Sequence, residues 1–279
     1  MYISELITLE EIETWKMGDN ILISSQTGTG KSYFIMNVLA RFCKEHALKT
    51  LIFSNRDLLK QQNQKMALDN VDCVNYQFAE QLDDYRLAKM LSAYDVISFD
   101  ECHYFFKDAS FNANTSRVLE YALKKTNQIK LFISATPEPL YYTSLTFAKE
   151  YSLPRAYSFI KNLVFYDNIS DVLEEIVHSP KKSVCFFSNA RKAYEFAHEN
   201  KSVAQFYCSK GNALYPFAAK NVQKEIVENE CFSTKILATT TVLENGVNLV
   251  DSALENIVID FYDPITIIQT LGRKRLSRK

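Results

Sequence analysis

The stretch Ser24 to Ser32, SSQTGTGKS, follows the apolar run Ile21-Leu22-Ile23 and opens into Tyr33-Phe34-Ile35-Met36. That order predicts a strand, a tight glycine turn and a helix. Gly28 and Gly30 allow backbone conformations that a side chain would forbid, so successive N–H groups of Thr27 to Gly30 can turn inward onto phosphate oxygens. Lys31 adds a cation. Ser32 offers a hydroxyl suited to Mg²⁺, and the helix N-terminus adds partial positive charge. The chain is therefore expected to hold a nucleotide phosphate on Thr27, Gly28, Thr29, Gly30, Lys31 and Ser32.

Short apolar, β-branched runs recur after this point: ILIS at 21 to 24, TLIFS at 50 to 54, VISFD at 96 to 100 and KLFIS at 130 to 134. A second series follows, SVCFFS at 183 to 188, VAQFYC at 203 to 208, KILATT at 235 to 240 and NIVIDF at 256 to 261. Longer amphipathic segments separate them, the pattern of a mostly parallel sheet wrapped by helices. An α/β fold in two domains, 1–155 and 156–279, is predicted, with a seam around Leu153-Pro154-Arg155, where proline disfavours helix at the residue before it. At 279 residues and 47% apolar side chains, the chain can fill two cores. Thr8-Leu9-Glu10-Glu11 has capping-box spacing and predicts a helix through Trp15, itself read as a packing residue.

Formal net charge is −1, so no nucleic-acid partner is demanded by the total and none is excluded locally. Arg273 to Lys279 nevertheless carries five basic side chains and no acid. Six cysteines lie far apart without a CxxC pair, which argues against a zinc site and a disulfide framework and fits a reducing cytoplasm. The N-terminus has no basic region or signal-length apolar core, and no run approaches a membrane span.

VISFDECH, residues 96 to 103, ends an apolar strand on two adjacent acids. Both should emerge at the carboxyl edge of the sheet, where the phosphate loop also opens. Asp100 would hold Mg²⁺, and Glu101 would orient and deprotonate an attacking water.

With these residues the chain resembles the superfamily 2 helicases and translocases of the DExH type. SSQTGTGKS resembles their motif I, DECH at 100 to 103 motif II, and Ser134-Ala135-Thr136 motif III. FSNRDLLKQQ at 53 to 62 resembles motif Ia, FFSNARKA at 186 to 193 motif IV, ATTTVLENGVNL at 238 to 249 motif V, and IIQTLGRKRLSR at 267 to 278 motif VI. The resemblance implies two RecA-like domains with ATP in the cleft between them and an ATP- and Mg²⁺-dependent helicase or translocase, DNA slightly favoured over RNA from motif V. It implies a catalytic set of Lys31, Glu101, Gln269, Arg273 and Arg275, with Arg273 as the arginine reaching the γ-phosphoryl group. Gly246 and Asn248 would add nucleotide contacts. His103, otherwise a structural histidine, would bond across the cleft to Gln269. Ser134 and Thr136 would relay motion to the bound strand, or else satisfy local backbone. Asn55, Arg56, Asn189 and Thr240 would meet the sugar-phosphate backbone of single- or double-stranded nucleic acid without reading sequence.

Two positions depart from the family pattern: Asn248 stands where Asp is usual, and Leu276 stands where motif VI usually has a second arginine, leaving Arg275 or Arg278 for that role. The chain ends within a few residues of motif VI, as a pared-down core or a truncated product would. These departures motivate a second reading, an ATP-gated nucleic-acid clamp with little turnover. A P-loop ATPase acting on a protein partner is the third. The aromatic-basic segment 103 to 117, with Lys107 and Arg117, reads as core or as a strand-facing loop.

Overall fold

The structure, a computed structural model, describes residues 1–26, 28–54, 69–107, 115–154, 157–241 and 249–274. The chain divides into two compact units, Met1–Arg155 and Ala156–Lys279. Among the described residues no helix is long and apolar enough to cross a membrane. All six cysteines are free thiols.

The first unit is built on six parallel strands: β1 (Asn20–Ser24), β2 (Thr50–Phe53), β3 (Val71–Val74), β4 (Val96–Asp100), β5 (Ile129–Ser134) and β6 (Lys149–Ser152). They are ordered β3-β2-β4-β5-β1-β6. Period-two alternation explains why the central strands are apolar throughout. Ile21, Ile23, Ile52, Val96, Leu131 and Ile133 face one core, while Leu22, Leu51, Phe53, Ile97, Phe99 and Phe132 face the other. Each such large side chain, taken fully from water, contributes roughly 1.5–3 kcal/mol.

An aromatic ladder crosses the second face. Phe53, Phe99 and Phe132 are opposite one another in β2, β4 and β5, and their rings stack at 5.2 Å in both pairs. The ladder lies at the carboxyl end of the sheet: Phe53 is the last residue of β2, Phe99 directly precedes Asp100, and Phe132 lies two residues before Ser134. Phe105 closes it edge-on against Phe99 at 5.5 Å.

The helix after the phosphate loop runs Lys31–Tyr33, passes through a π-helical stretch Phe34–Leu39, and ends as Ala40–Glu45. Phe34, Ile35, Met36 and Leu39 are all buried. The wider winding of the π turn brings more consecutive side chains onto the core-facing side than 3.6-residue winding would.

The expected N-terminal helix is shorter than the sequence suggests. It spans Leu9–Glu13, with Thr8 accepting the Glu11 N–H. Glu11 is not spent on reciprocal capping: it accepts from Tyr151 at 2.6 Å and pairs with Lys149 at 3.1 Å on β6. Trp15 leaves the helix because its ring turns inward, where its Nε1–H donates to the Tyr151 hydroxyl at 3.0 Å.

The second unit holds four parallel strands, β7 (Lys182–Phe187), β8 (Ala204–Tyr207), β9 (Ile236–Thr239) and β10 (Leu254–Asp260), ordered β10-β7-β9-β8. One core spans it, from Val184 and Phe186 through Phe206 and Leu237 to Val258.

Candidate nucleotide site and its neighbours

In the first unit, register brings the candidate residues together. Ser24 at the end of β1 pairs with Ser134 at the end of β5, and Asp100 at the end of β4 pairs with Ile133. The phosphate loop, the acidic pair and Ser134–Thr136 thus leave three adjacent strands side by side. Ser25 N–H still bonds the Ser134 carbonyl at 2.9 Å, so the loop starts on the sheet.

Gly28 and Gly30 have φ of 88° and 84°, the left-handed region where L side chains are strained. Gly30 is constrained from outside as well. A Cβ there would lie 3.3 Å from the Tyr2 ring, and the Ile3 N–H bonds the Thr29 carbonyl at 3.0 Å. The N-terminal segment therefore backs the phosphate loop, a contact that no motif in the sequence announces.

Lys31 is buried, with its ammonium 3.0 Å from Glu101 Oε1 and 3.4 Å from the Ser25 carbonyl. His103 Nδ1 lies 3.4 Å from Glu101 Oε2 and 3.3 Å from Ser134 Oγ. Ser134 Oγ in turn accepts the Thr136 N–H at 3.0 Å. Of the two expectations for Ser134, its hydroxyl meets the local one by satisfying backbone, and the same atom also reaches the histidine. Cys102 points the other way, into the aromatic core, and burial pushes its thiol well above the usual range, so it is a neutral packing group.

The residues suit a bound nucleotide phosphate. The loop carries two glycines in the conformation that turns N–H groups inward, and a buried ammonium lies at its base. The buried Ser25 hydroxyl has no hydrogen-bond partner among the described residues. Ser32, half-buried at the helix start, and Asp100, buried at the strand end, carry oxygens of the kind Mg²⁺ takes. Among the described residues no three His, Cys, Asp or Glu side chains cluster.

The second unit gathers its candidates at the carboxyl ends of its own strands. Asn189 follows β7 and caps the helix Ala190–Glu199, its side chain accepting the Lys192 N–H at 3.0 Å. Lys192 pairs with Asp260 at 3.0 Å, and the Ser188 hydroxyl donates to the same carboxylate at 3.0 Å. Thr240 follows β9 and is half-buried. Gln269 lies on the helix Pro264–Leu271, with Arg273 just beyond it; both are buried. The Arg273 carbonyl accepts the Leu249 N–H at 2.8 Å, and Lys274 pairs with Leu249 in a parallel bridge. Asp251 is held by Lys182 at 2.6 Å and, through its carbonyl, by Lys274. Motif V's downstream end and motif VI are thereby one structural piece. Thr27, Asn55, Arg56, Gly246, Asn248, Arg275 and Arg278 lie outside the described residues. In the aromatic segment, Tyr104 and Phe105 are core, and Arg117 donates to the Leu82 carbonyl at 3.0 Å.

Asn189 has a structural duty that its motif does not reveal, and two variants separate that duty from the strand contact expected of it. Asn189→Ala is expected to destabilise the second unit by about 1 kcal/mol through loss of the cap. Asn189→Asp keeps an acceptor there and is expected to leave the thermal midpoint unchanged while weakening nucleic-acid binding. Filter binding beside thermal melts reads both.

No protein-family model matches the sequence, and no curated protein matches it. Solved structures do match. S. cerevisiae Dbp5 bound to RNA and ADP BeF3 is 16% identical, covers 94% of this chain with 77% of its own, and superposes with a TM-score of 0.59. The DEAD-box helicase Mss116 bound to ssRNA and UDP-BeF is 14% identical over 95% of this chain and 66% of its own, with a TM-score of 0.64. The Escherichia coli DEAH/RHA helicase HrpB is 13% identical over 98% of this chain and 41% of its own, with a TM-score of 0.55. The chain shares the fold of these solved helicases, an α/β architecture of RecA-like units.

Proposed function

We propose that the protein is a nucleic-acid-dependent ATPase of the helicase or translocase kind. The observation that carries this reading is the buried Lys31–Glu101 pair at 3.0 Å, set between a phosphate loop and a strand-end acid pair on adjacent strands. Lys31 and the loop N–H groups would bind the β- and γ-phosphates. Glu101, freed from Lys31 by the phosphate, would take a proton from the attacking water, with His103 beside its second oxygen and Ser134 against the His103 ring. Mg²⁺, held by Ser32 and Asp100, would neutralise phosphate charge when bound. Arg273 is proposed to stabilise the charge that develops on the γ-phosphoryl oxygens, with Arg275 as a second arginine and Gln269 paired to His103 to couple hydrolysis to movement. Gly246 and Asn248 would complete nucleotide binding, and Asn55, Arg56, Asn189 and Thr240 would grip a strand backbone.

The lean toward DNA taken from motif V finds no support in the neighbours, two of which hold RNA. RNA is now the favoured strand, and a cytoplasmic setting is retained from cysteine usage. Phosphate release measured with single-stranded RNA, single-stranded DNA and neither tests the reading. Stimulation by RNA is expected, and Arg273→Ala should lower the stimulated rate by about 10³. Tight strand binding without turnover would favour the clamp, and indifference to both strands a protein partner.

A further inference from the structure

Glu101 has φ of 54°, a left-handed conformation that non-glycine residues adopt at a cost. Something must hold it there. We propose that Tyr76 is a positioning residue for Glu101, pinning through its hydroxyl the peptide unit that joins Asp100 to Glu101. The inference rests on the reading of Glu101 as the base in ATP hydrolysis.

The Tyr76 hydroxyl donates to the Asp100 carbonyl at 3.0 Å. That carbonyl and the Glu101 N–H belong to one planar unit, and the φ of Glu101 is measured from that plane. Relaxing φ to a negative value by rotating this unit would swing the carbonyl off the hydroxyl and break a buried hydrogen bond. Tyr76 cannot follow the movement. Its side chain is fully buried, stacked on Tyr104 at 4.6 Å, edge-on to Phe105 at 5.4 Å and against Phe53 at 5.3 Å.

The far side of the turn is held as well. Cys102 N–H bonds the Ile133 carbonyl at 3.0 Å, and Tyr104 N–H bonds the Glu101 carbonyl at 2.9 Å. Glu101 is thus fixed by backbone on both sides and by Lys31 and His103 at its carboxylate. Burial raises the Tyr76 phenol well above its ordinary range, so the hydroxyl keeps the proton it donates. A pocket otherwise lined by aromatic rings would accept Phe, and the hydroxyl is what Tyr adds there.

Tyr104 supplies the matched control. Its ring packs in the same cluster, and its hydroxyl donates to Glu80 Oε2 at 3.3 Å. Steady-state ATP turnover, binding of a fluorescent ATP analogue and thermal midpoints would be measured for Tyr76→Phe, Tyr104→Phe, Glu101→Gln and the Tyr76→Phe/Glu101→Gln double variant. Tyr76→Phe keeps the ring contacts and should fold. Its kcat should fall by about ten- to a hundredfold, the scale of a misplaced reacting group, with analogue affinity unchanged. Tyr104→Phe should keep wild-type kcat, and the double variant should be no slower than Glu101→Gln. Replacing Tyr76 by p-aminophenylalanine, which restores a donor at similar reach, should recover kcat.

Wild-type kcat in Tyr76→Phe, or equal losses in Tyr76→Phe and Tyr104→Phe, would overturn the proposal while an inactive Glu101→Gln left the base assignment standing. Full activity in Glu101→Gln would overturn the base assignment, and this inference with it.

Discussion

Replacing Lys31 with Met will destabilise the first unit by about 3–5 kcal/mol, the cost of leaving a buried carboxylate without its partner. The pair is almost fully enclosed, with side-chain exposures of 7% and 8%. For a unit of this size the thermal midpoint should drop by about 10 °C. The same change removes the cation at the phosphate loop, so ATP binding should be lost. These two losses have different causes and can be separated. Adding Glu101→Gln to Lys31→Met removes the charge that has lost its ammonium and should recover most of the stability without recovering ATP binding. Differential scanning calorimetry beside nucleotide titration tests this. A Lys31→Met variant as stable as wild type would show that the ammonium and carboxylate do not meet in solution.

The second large effect belongs to Glu101. Glu101→Gln keeps the shape of the side chain and an acceptor for Lys31, but it removes the base. Turnover should fall by about 10²–10⁴ while ATP affinity holds, because general-base catalysis acts in the transition state and contributes little to ground-state binding. The His103 contact sharpens the expectation. Its Nδ1 lies 3.4 Å from Glu101 Oε2, so the ring is placed to fix the carboxylate oxygen that Lys31 does not hold.

The phosphate loop and the acidic strand end were legible because their chemistry needs particular residue types at fixed spacing. The eight apolar runs were legible because buried parallel strands carry apolar side chains on both faces. β3 and β6 were missed for the same physical reason. Both are edge strands: β6 reads Lys149-Glu150-Tyr151-Ser152, half exposed, and shows no apolar run. Glu11 resembled a capping residue, yet β6 takes its carboxylate, and only tertiary pairing could reveal that. Lys130 sits in an apolar strand but is buried, with its ammonium donating to the carbonyls of Tyr121 and Ala122 at 3.3 and 3.2 Å near the end of the helix Thr115–Leu123. Burial lowers its pKa to about 8. Nothing in local sequence marks a lysine for that role. Tyr76 and Tyr2 were invisible for a related reason: each acts on the site through the backbone of another segment, and backbone partners leave no residue-type signature.

The proposed activity requires ATP to bind at the phosphate loop and to be cleaved with Glu101 as the base. The most direct test measures ATP-analogue binding and phosphate release in the same samples of wild type and Glu101→Gln, with Mg²⁺ and single-stranded RNA present. Equal binding by both chains and release by wild type alone are expected. Release from Glu101→Gln at the wild-type rate, or failure of both chains to bind the nucleotide, would contradict the proposed activity.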